Sequence, residues 1–277
     1  MRRAPLGAAA PMARRWTFVA LVALLAVSCG APLKPIVLPA GVGGPASDAP
    51  EALDAATAAC RAVSTLSAQV GVAGSIAGKR APHARLLIAV AAPGSARIEA
   101  PAPFGAPVFI LVARDNDATL LFPRENQALE HGRPADLLEA LTGIPVDGAG
   151  LRAALTGCGV APDARRALQY DDNWIAVPDQ DGTLYLHREA SSPSWRVAAA
   201  VHDAGASRWR VDYREFARGL PRAIHVFAVT GGRFDLRLSL SDVELNPALG
   251  ADVFSVRVPA SAAPLTLDDL RTREPRQ

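Results

Sequence analysis

The chain has 277 residues, of which 50% are apolar and 20% charged. Disordered segments combine few apolar residues with a large net charge, so this composition excludes disorder for most of the chain. No stretch of about 18 to 20 apolar residues occurs, which excludes a multi-pass membrane protein. The formal net charge is +2, and removal of the four arginines before Cys29 leaves 25 basic and 27 acidic residues, a balance of −2. The sequence therefore indicates no basic surface for nucleic acid.

Residues 1–28 are predicted to be a signal peptide of the lipoprotein type. Arg14 and Arg15 precede an apolar segment of twelve residues, 16–27, which is too short to span a bilayer but typical of a secretory signal. The stretch Ala26-Val27-Ser28-Cys29 resembles a bacterial lipobox, in which the cysteine is acylated and becomes the new N-terminus. The alternative is a plain signal peptide with a chance cysteine. Gly30 after Cys29, rather than aspartate, favours an outer-membrane location facing the periplasm.

Residues 29–50 are predicted to form a flexible tether. The stretch 31–50 contains five prolines and three glycines, few large apolar residues and no periodicity. Chains of this composition do not pack a core, and they act as spacers. The sequence therefore predicts a folded domain, 51–277, that stands off from a bilayer.

The remaining chain alternates between helical and extended patterns. Residues 51–66 repeat apolar positions at helical spacing. Extended candidates with period two follow, separated by turn residues such as Lys79–Pro82 and Asp115–Asp117. They are residues 70–76, 84–91, 95–100, 107–113, 118–123, 127–131, 174–177, 184–188, 195–201, 208–213, 223–229, 234–245 and 253–258.

Two short helices, 134–141 and 147–156, interrupt the strands, and a last helix is predicted at 266–271. Strands at this spacing with few helices favour one antiparallel sheet, and about eleven strands cannot stay flat. We therefore predict a mainly β fold with a few helices: an incomplete, half-open antiparallel β-barrel of about eleven strands with a helical lid.

Catalytic and metal-binding motifs are missing from the sequence. It contains neither Gly-x-Ser-x-Gly nor His-Glu-x-x-His, and the five histidines have no ligand spacing,. We therefore predict a protein that is not an enzyme, with no cofactor and no metal. Cys60 and Cys158 remain after Cys29, and in an oxidising periplasm they either pair or stay as separate thiols.

Three segments resemble the LolA/LolB superfamily of lipoprotein carriers, and its LolB-like outer-membrane members in particular. Residues 141–157 begin Leu-Thr-Gly-x-Pro and end on glycine, like the inserted-helix segment of that family. Ala102-Pro103-Phe104-Gly105 before an aliphatic strand is similar to its Pro-Leu-Gly loop. Residues 231–240, with Gly-Gly-Arg before alternating apolar positions, are similar to its last hairpin strand. The chain departs from the family in its extension after Asn246.

The resemblance implies three features: an apolar cavity for acyl chains, a helical lid over that cavity, and a loop that delivers cargo to the membrane. That loop corresponds to Pro103, Phe104 and Gly105, although Phe104 packed under an ordinary turn is the alternative. The implied partners are acyl chains or lipoproteins and a LolA-like periplasmic carrier, and the protein is expected to be a monomer. A structural or assembly lipoprotein that uses the same fold to bind a protein partner is the alternative function. The apolar positions of the lid are Leu137, Leu138, Leu141, Leu151 and Leu155.

Overall fold

The computed structural model describes residues 34–189, 192–204, 207–231 and 234–272. The predicted signal peptide and the predicted lipidation site Cys29 lie outside these ranges. Two residues of the third family-like segment, Gly232 and Arg233, also lie outside them. Residues from Pro35 onward belong to one compact unit.

In the part of the chain that the structure describes, fifteen strands, β1–β15 in chain order, form a single sheet. Its order is β1-β8-β9-β10-β11-β12-β13-β14-β2-β3-β4-β5-β6-β7-β15. The pairing of β7 with β15 is parallel, and the others are antiparallel. The strands are Gly44–Pro45, Thr65–Ile76, Lys79–Ala91, Ser95–Ala100, Phe109–Arg114, Asp117–Phe122, Gln127–Gly132, Leu168–Tyr170, Trp174–Asp179, Gly182–Arg188, Trp195–Ala204, Ser207–Ala217, Leu220–Thr230, Phe234–Leu245 and Ala263–Pro264.

The predicted fold class is confirmed: the protein is mostly β, with an open, curled sheet and a few helices. The predicted number of about eleven strands is too low. The additional strands are mainly β1 and β15, with two residues each, and β8, with three. Segments that short carry no periodicity, so the sequence gives no signal for them.

Within the described ranges, four α-helices, α1–α4, accompany the sheet: Ala49–Arg61, Pro134–Thr142, Gly148–Thr156 and Leu267–Thr272. Helix α1 is shorter than predicted, because Leu66 already pairs with Val90 inside the sheet. Helix α2 ends on Gly143 in the left-handed region (φ 76°). The Asp147 carboxylate accepts a hydrogen bond from the Gly150 N–H at 2.8 Å and so caps the start of α3,.

The helices pack on one face of the sheet. Leu184, Ala200, Val211 and Val226 occupy one row across β10–β13 and point into the core. The same buried cluster contains Leu53 of α1, Leu137 and Leu138 of α2 and Leu155 of α3. Because side chains alternate along a strand, the neighbouring row points away from these helices. That row is Tyr185, Ala199, Asp212 and His225, and we call its side the outer face.

Two local predictions are wrong. The break predicted at Lys79–Pro82 lies earlier, because Ile76 pairs with Lys79 and leaves Ala77 and Gly78 as a two-residue turn. Both have positive φ, 51° and 77°, as hairpin turns of this length require,. The strand predicted at 253–258 is instead a 3₁₀-helix, Ala251–Phe254, followed by chain outside any strand.

Residues 35–45, which we call the N-terminal strap, contact the sheet. The strap touches β12 through Ile36 and reaches the edge of the sheet at β1, where Gly44 pairs with Gln169 of β8. Residues 35–45 of the tether predicted over 29–50 therefore lie against the sheet. The strap's composition is poor in core residues, but its backbone groups bind side chains of β12 and the backbone of β8.

Residues 246–272, the C-terminal strap, cover the opposite edge. Asn246 turns the chain after β14: its Oδ1 accepts from the Ser64 N–H at 2.8 Å, and its Nδ2 donates to the Ala62 carbonyl at 2.9 Å. Arg97 of β4 donates to the carbonyls of Val253 and Ser255, each at 3.2 Å. The strap ends in β15 beside β7 and in α4, which packs against α2.

Candidate lipid-contacting loop and helical lid

The connection between β4 and β5 presents an exposed aromatic ring. Phe104 is 89% exposed, between Pro103 and Gly105, which are also exposed. Gly105 has a φ of 77°, a conformation that a residue with a side chain rarely adopts,. The chain therefore turns at Gly105, and the ring beside it lies in solvent rather than under the turn.

Arg124, in the turn between β6 and β7, holds the backbone of this loop. Its Nε donates to the carbonyl of Ala106 at 2.9 Å, and its terminal nitrogen donates to the carbonyl of Phe104 at 2.6 Å. Hydrogen bonds from a charged donor are stronger than those between neutral groups. Arg124 thus fixes the main chain on both sides of Gly105 and places a positive charge next to the main chain of Phe104.

The base of the loop is closed by the sheet. The Val108 N–H donates to the Ala100 carbonyl at 2.8 Å. The next residue, Phe109, packs against Phe122 of β6 with ring centroids 6.4 Å apart. The loop is consequently anchored at its base and at its middle, and Phe104 extends from a fixed position.

The predicted lid residues lie on α2 and α3 and point into the core. Leu137, Leu138 and Leu155 are 1%, 2% and 1% exposed. Leu141 and Leu151 are half-buried and pack against the core where α2 connects to α3. The structure thus brings the lid residues onto one apolar layer, while the Phe104 loop lies at an end of the sheet.

Cys60 and Cys158 are joined as a disulfide, with Cα atoms 5.8 Å apart. Cys60 lies in the last turn of α1 and Cys158 follows the end of α3. The sequence left pairing and separate thiols open, and the structure contains the pair. The bond connects the end of α3 to α1.

Buried apolar side chains pack between the sheet and the helices. One cluster of them includes residues of α1, α2, α3 and both halves of the sheet. Two clefts in the described part of the chain, of about 350 and 310 Å³, are open to the surface. The larger lies beside the first turns of α2 and α3, and the smaller lies near Leu87 and Arg97. An open apolar cavity at rest, as the resemblance implies, is not among them.

Buried titratable groups lie in the half of the sheet near the N-terminal strap. Burial lowers the pKa of His202, whose ring stacks on Trp209 with centroids 4.0 Å apart. Burial also lowers the pKa of His187 and raises that of Tyr213. These groups are spread over three strands, β10, β11 and β12.

Two further properties concern only the residues that the structure describes. They contain no group of three or more His, Cys, Asp or Glu side chains arranged to hold a metal ion. No helix among them has the length and apolar character needed to cross a membrane.

Sequence reasoning identified Phe104 but missed Arg124. The two residues are twenty positions apart, and only the pairing of β4 with β5 and β5 with β6 brings them together. An arginine in a turn carries no signal of its own, so nothing in the sequence singled it out.

No family model and no curated protein matches the chain. A solved LolA superfamily protein from Nitrosomonas europaea superposes with a TM-score of 0.52 at 16% identity, over 78% of this chain and 99% of that one. A domain from Vibrio parahaemolyticus, described as an outer membrane lipoprotein-sorting protein, covers 74% and 97% at 11% identity with a TM-score of 0.45. A DUF1329 family protein from Desulfovibrio piger covers 76% and 98% at 9% identity with a TM-score of 0.48. The fold is LolA-like, and the narrower LolB-like identity is a hypothesis.

Proposed function

We propose that this chain is a lipid-anchored envelope protein that binds an acyl chain or a lipoprotein beneath α2 and α3. It exchanges this cargo with a membrane through the Phe104 loop. The observation that carries the proposal is the exposed Phe104 ring on a loop held by Arg124. Acylated Cys29 supplies the anchor, and the outer membrane is the proposed location. The chemistry needs no catalytic group, because burial of hydrocarbon is non-directional.

The size of the Phe104 contribution fits a transient membrane contact. Full burial of a phenylalanine side chain contributes about 1.5–3 kcal/mol. That corresponds to about 10- to 160-fold in partitioning, which is too weak for stable attachment. A single aromatic residue at the interface therefore suits a loop that touches and leaves a bilayer. The charge of Arg124 beside it favours anionic headgroups.

Acyl binding requires α2 and α3 to move, since their leucines fill the interior. Exposing three buried leucines costs about 5–9 kcal/mol, at about 1.5–3 kcal/mol each. An acyl chain of about sixteen carbons gains about 13 kcal/mol on burial, at about 0.8 kcal/mol per methylene. The exchange of leucine side chains for an acyl chain is therefore favourable. The half-buried Leu141 and Leu151 mark the place where the lid opens with the least loss of packing.

The test separates binding from delivery. The full chain is loaded with a fluorescent fatty acid, and its transfer to vesicles containing anionic lipid is followed over time. We expect Phe104→Glu to slow transfer at least about tenfold and to leave uptake unchanged. Leu87→Glu is the matched control, because Leu87 is an exposed apolar side chain on β3 (41% exposed), outside the loop.

Two results would contradict the proposal. Equal loss of uptake and transfer in Phe104→Glu would show that the residue supports the fold rather than delivery. Failure of the wild-type chain to take up the fatty acid, together with no co-purifying lipid by mass spectrometry, would remove acyl binding altogether.

The filled interior favours a second candidate, an anchored assembly protein that binds a protein partner on its surface. Crosslinking in intact cells distinguishes the two. A single protein captured in stoichiometric amount, with no lipid bound, supports the second candidate. Capture of several acylated proteins supports the first.

A further inference from the structure

Two charged side chains of β12 bind both backbone polar groups of Ile36. The Ile36 N–H donates to Asp212 Oδ2 at 2.6 Å, and the Arg210 guanidinium donates to the Ile36 carbonyl. Arg210 Nε also donates to Asp212 Oδ1 at 2.5 Å. We call this arrangement the Ile36 clamp. It offers one acceptor and one donor to one residue, as a neighbouring strand would.

The clamp is buried in the folded domain. The Asp212 side chain is 0% exposed and the Arg210 side chain 11% exposed. Buried ion pairs are costly unless additional hydrogen bonds satisfy the remaining polar atoms. Here the backbone of Ile36 supplies those bonds, so the pair and the docked strap stabilise one another. The strap is therefore part of the domain from Ile36 onward.

We infer that the tether from the lipid anchor ends at Ile36, where the clamp fixes its exit from the outer face of the sheet. The inference rests on the acylation of Cys29 proposed above. Ile36 then lies seven positions after the anchor, instead of the twenty-one positions that separate Pro50 from Cys29. Fully extended, seven residues span at most about 25 Å, against about 75 Å for twenty-one.

The clamp lies toward the same end of the sheet as the Phe104 loop. Arg210 lies just after the connection between β11 and β12. The residues paired with it across the neighbouring strands are Phe227, Asp235 and Ser75, and Ser75 lies next to the β2–β3 turn. Strand β4 is antiparallel to β3 and runs toward this end, where its last residue Ala100 precedes the loop. A short tether from this end presents the end that carries Phe104 to the membrane holding the anchor.

Hydrogen exchange tests the docking independently of lipidation. In the mature full chain, we expect the Ile36 amide to exchange at least about tenfold more slowly than that of Val42, a fully exposed strap residue. Similar rates for the two amides would overturn the clamp.

Energy transfer to a vesicle surface tests the tether length. Val229, which is 46% exposed on β13, is replaced by cysteine, and this cysteine is labelled with a donor dye in the acylated protein. The bilayer contains a lipid that carries the acceptor dye. Cys29 is then acylated, and the other two cysteines form the disulfide. Fully extended, a tether of seven residues reaches at most about 25 Å, and one of fifteen residues about 54 Å.

The clamp variant is Arg210→Met with Asp212→Leu, which removes both charges and frees the strap as far as Gly44, fifteen residues from Cys29. We expect lower transfer efficiency, equal to that of a chain with eight Gly/Ser residues inserted after Gly30. Arg208→Gln is the matched control, because Arg208 lies on the same strand but pairs with exposed Asp203 at 3.2 Å. It should leave transfer unchanged. Ile36→Pro removes the N–H that donates to Asp212 and leaves the residues of the sheet unchanged. It replaces the double variant if that variant does not fold.

Unchanged transfer in the clamp variants, with reduced transfer in the insertion variant, would overturn the inference. If the wild-type chain does not float with vesicles, the proposed anchor is wrong and the membrane part of the inference fails with it. A slow Ile36 amide in that sample would still support the docked strap.

Discussion

The two straps cover opposite edges of one sheet by different means. The N-terminal strap is held by polar contacts: the Ile36 clamp and the two pairs between β1 and β8. The C-terminal strap buries apolar side chains, with Phe254, Leu265 and Leu270 at 8%, 9% and 4% exposed. Apolar burial is non-directional and adds stability, whereas a paired donor and acceptor select one register. The difference indicates that the C-terminal strap mainly adds stability to the fold. The N-terminal strap mainly fixes the register in which the chain lies on the sheet.

The largest effect is expected in the C-terminal strap. Leu270→Ala leaves a cavity in the core and should lower the free energy of unfolding by about 2–4 kcal/mol. Urea denaturation of the full chain measures it, and Leu267→Ala, at a half-buried position of the same helix, should cost less. A loss under about 0.5 kcal/mol for Leu270→Ala would refute a stabilising role for this strap.

A smaller effect is expected in the N-terminal strap. At Gly43 an added Cβ would lie 2.9 Å from Leu168 Cβ and from the Tyr170 ring, whereas at Gly44 it would meet no atom within 4 Å. Overpacking of this kind costs about 1–3 kcal/mol. Gly43→Ala should therefore speed hydrogen exchange in β8, and Gly44→Ala should not. Equal exchange in both variants would show that the strap does not press on β8.

The smallest expected effect is a loss of folding stability at low pH. Burial lowers the pKa values of His187 and His202, so the folded state disfavours their charged forms. The unfolded chain then binds more protons, and stability falls as the pH drops below about 6.5 toward the lowered folded values. Both residues lie in the half of the sheet near the N-terminal strap. Between pH 7.5 and 5, the protection factors, which correct exchange for its intrinsic pH dependence, should fall more in β10 and β11 than in β4 and β5, and His202→Phe should reduce that fall. An equal fall in protection across the sheet would contradict it.

Regular elements could be predicted from the sequence because their signals are local. The start of α2 at Pro134 and the glycine after each lid helix follow from chain chemistry, and the structure has both. The exposure of Phe104 is consistent with its neighbours Pro103 and Gly105, which favour a turn.

The contacts between distant segments could not be predicted in this way. Alternating apolar residues at 253–258 indicate a strand, yet only Phe254 is buried there, and Arg97 binds carbonyls that strand pairing would otherwise use. The Ile36 clamp joins residues about 175 positions apart. A segment with five prolines and three glycines carries no sign that two charged side chains will bind its backbone.

The outermost strand at each border of the sheet contains a proline, Pro45 in β1 and Pro264 in β15. Proline has no N–H to offer, so neither border presents a run of donors on which a strand of another molecule could align. The anchor proposed at Cys29 would bring copies together in the plane of a membrane, and there these two prolines would oppose edge-to-edge pairing of their sheets.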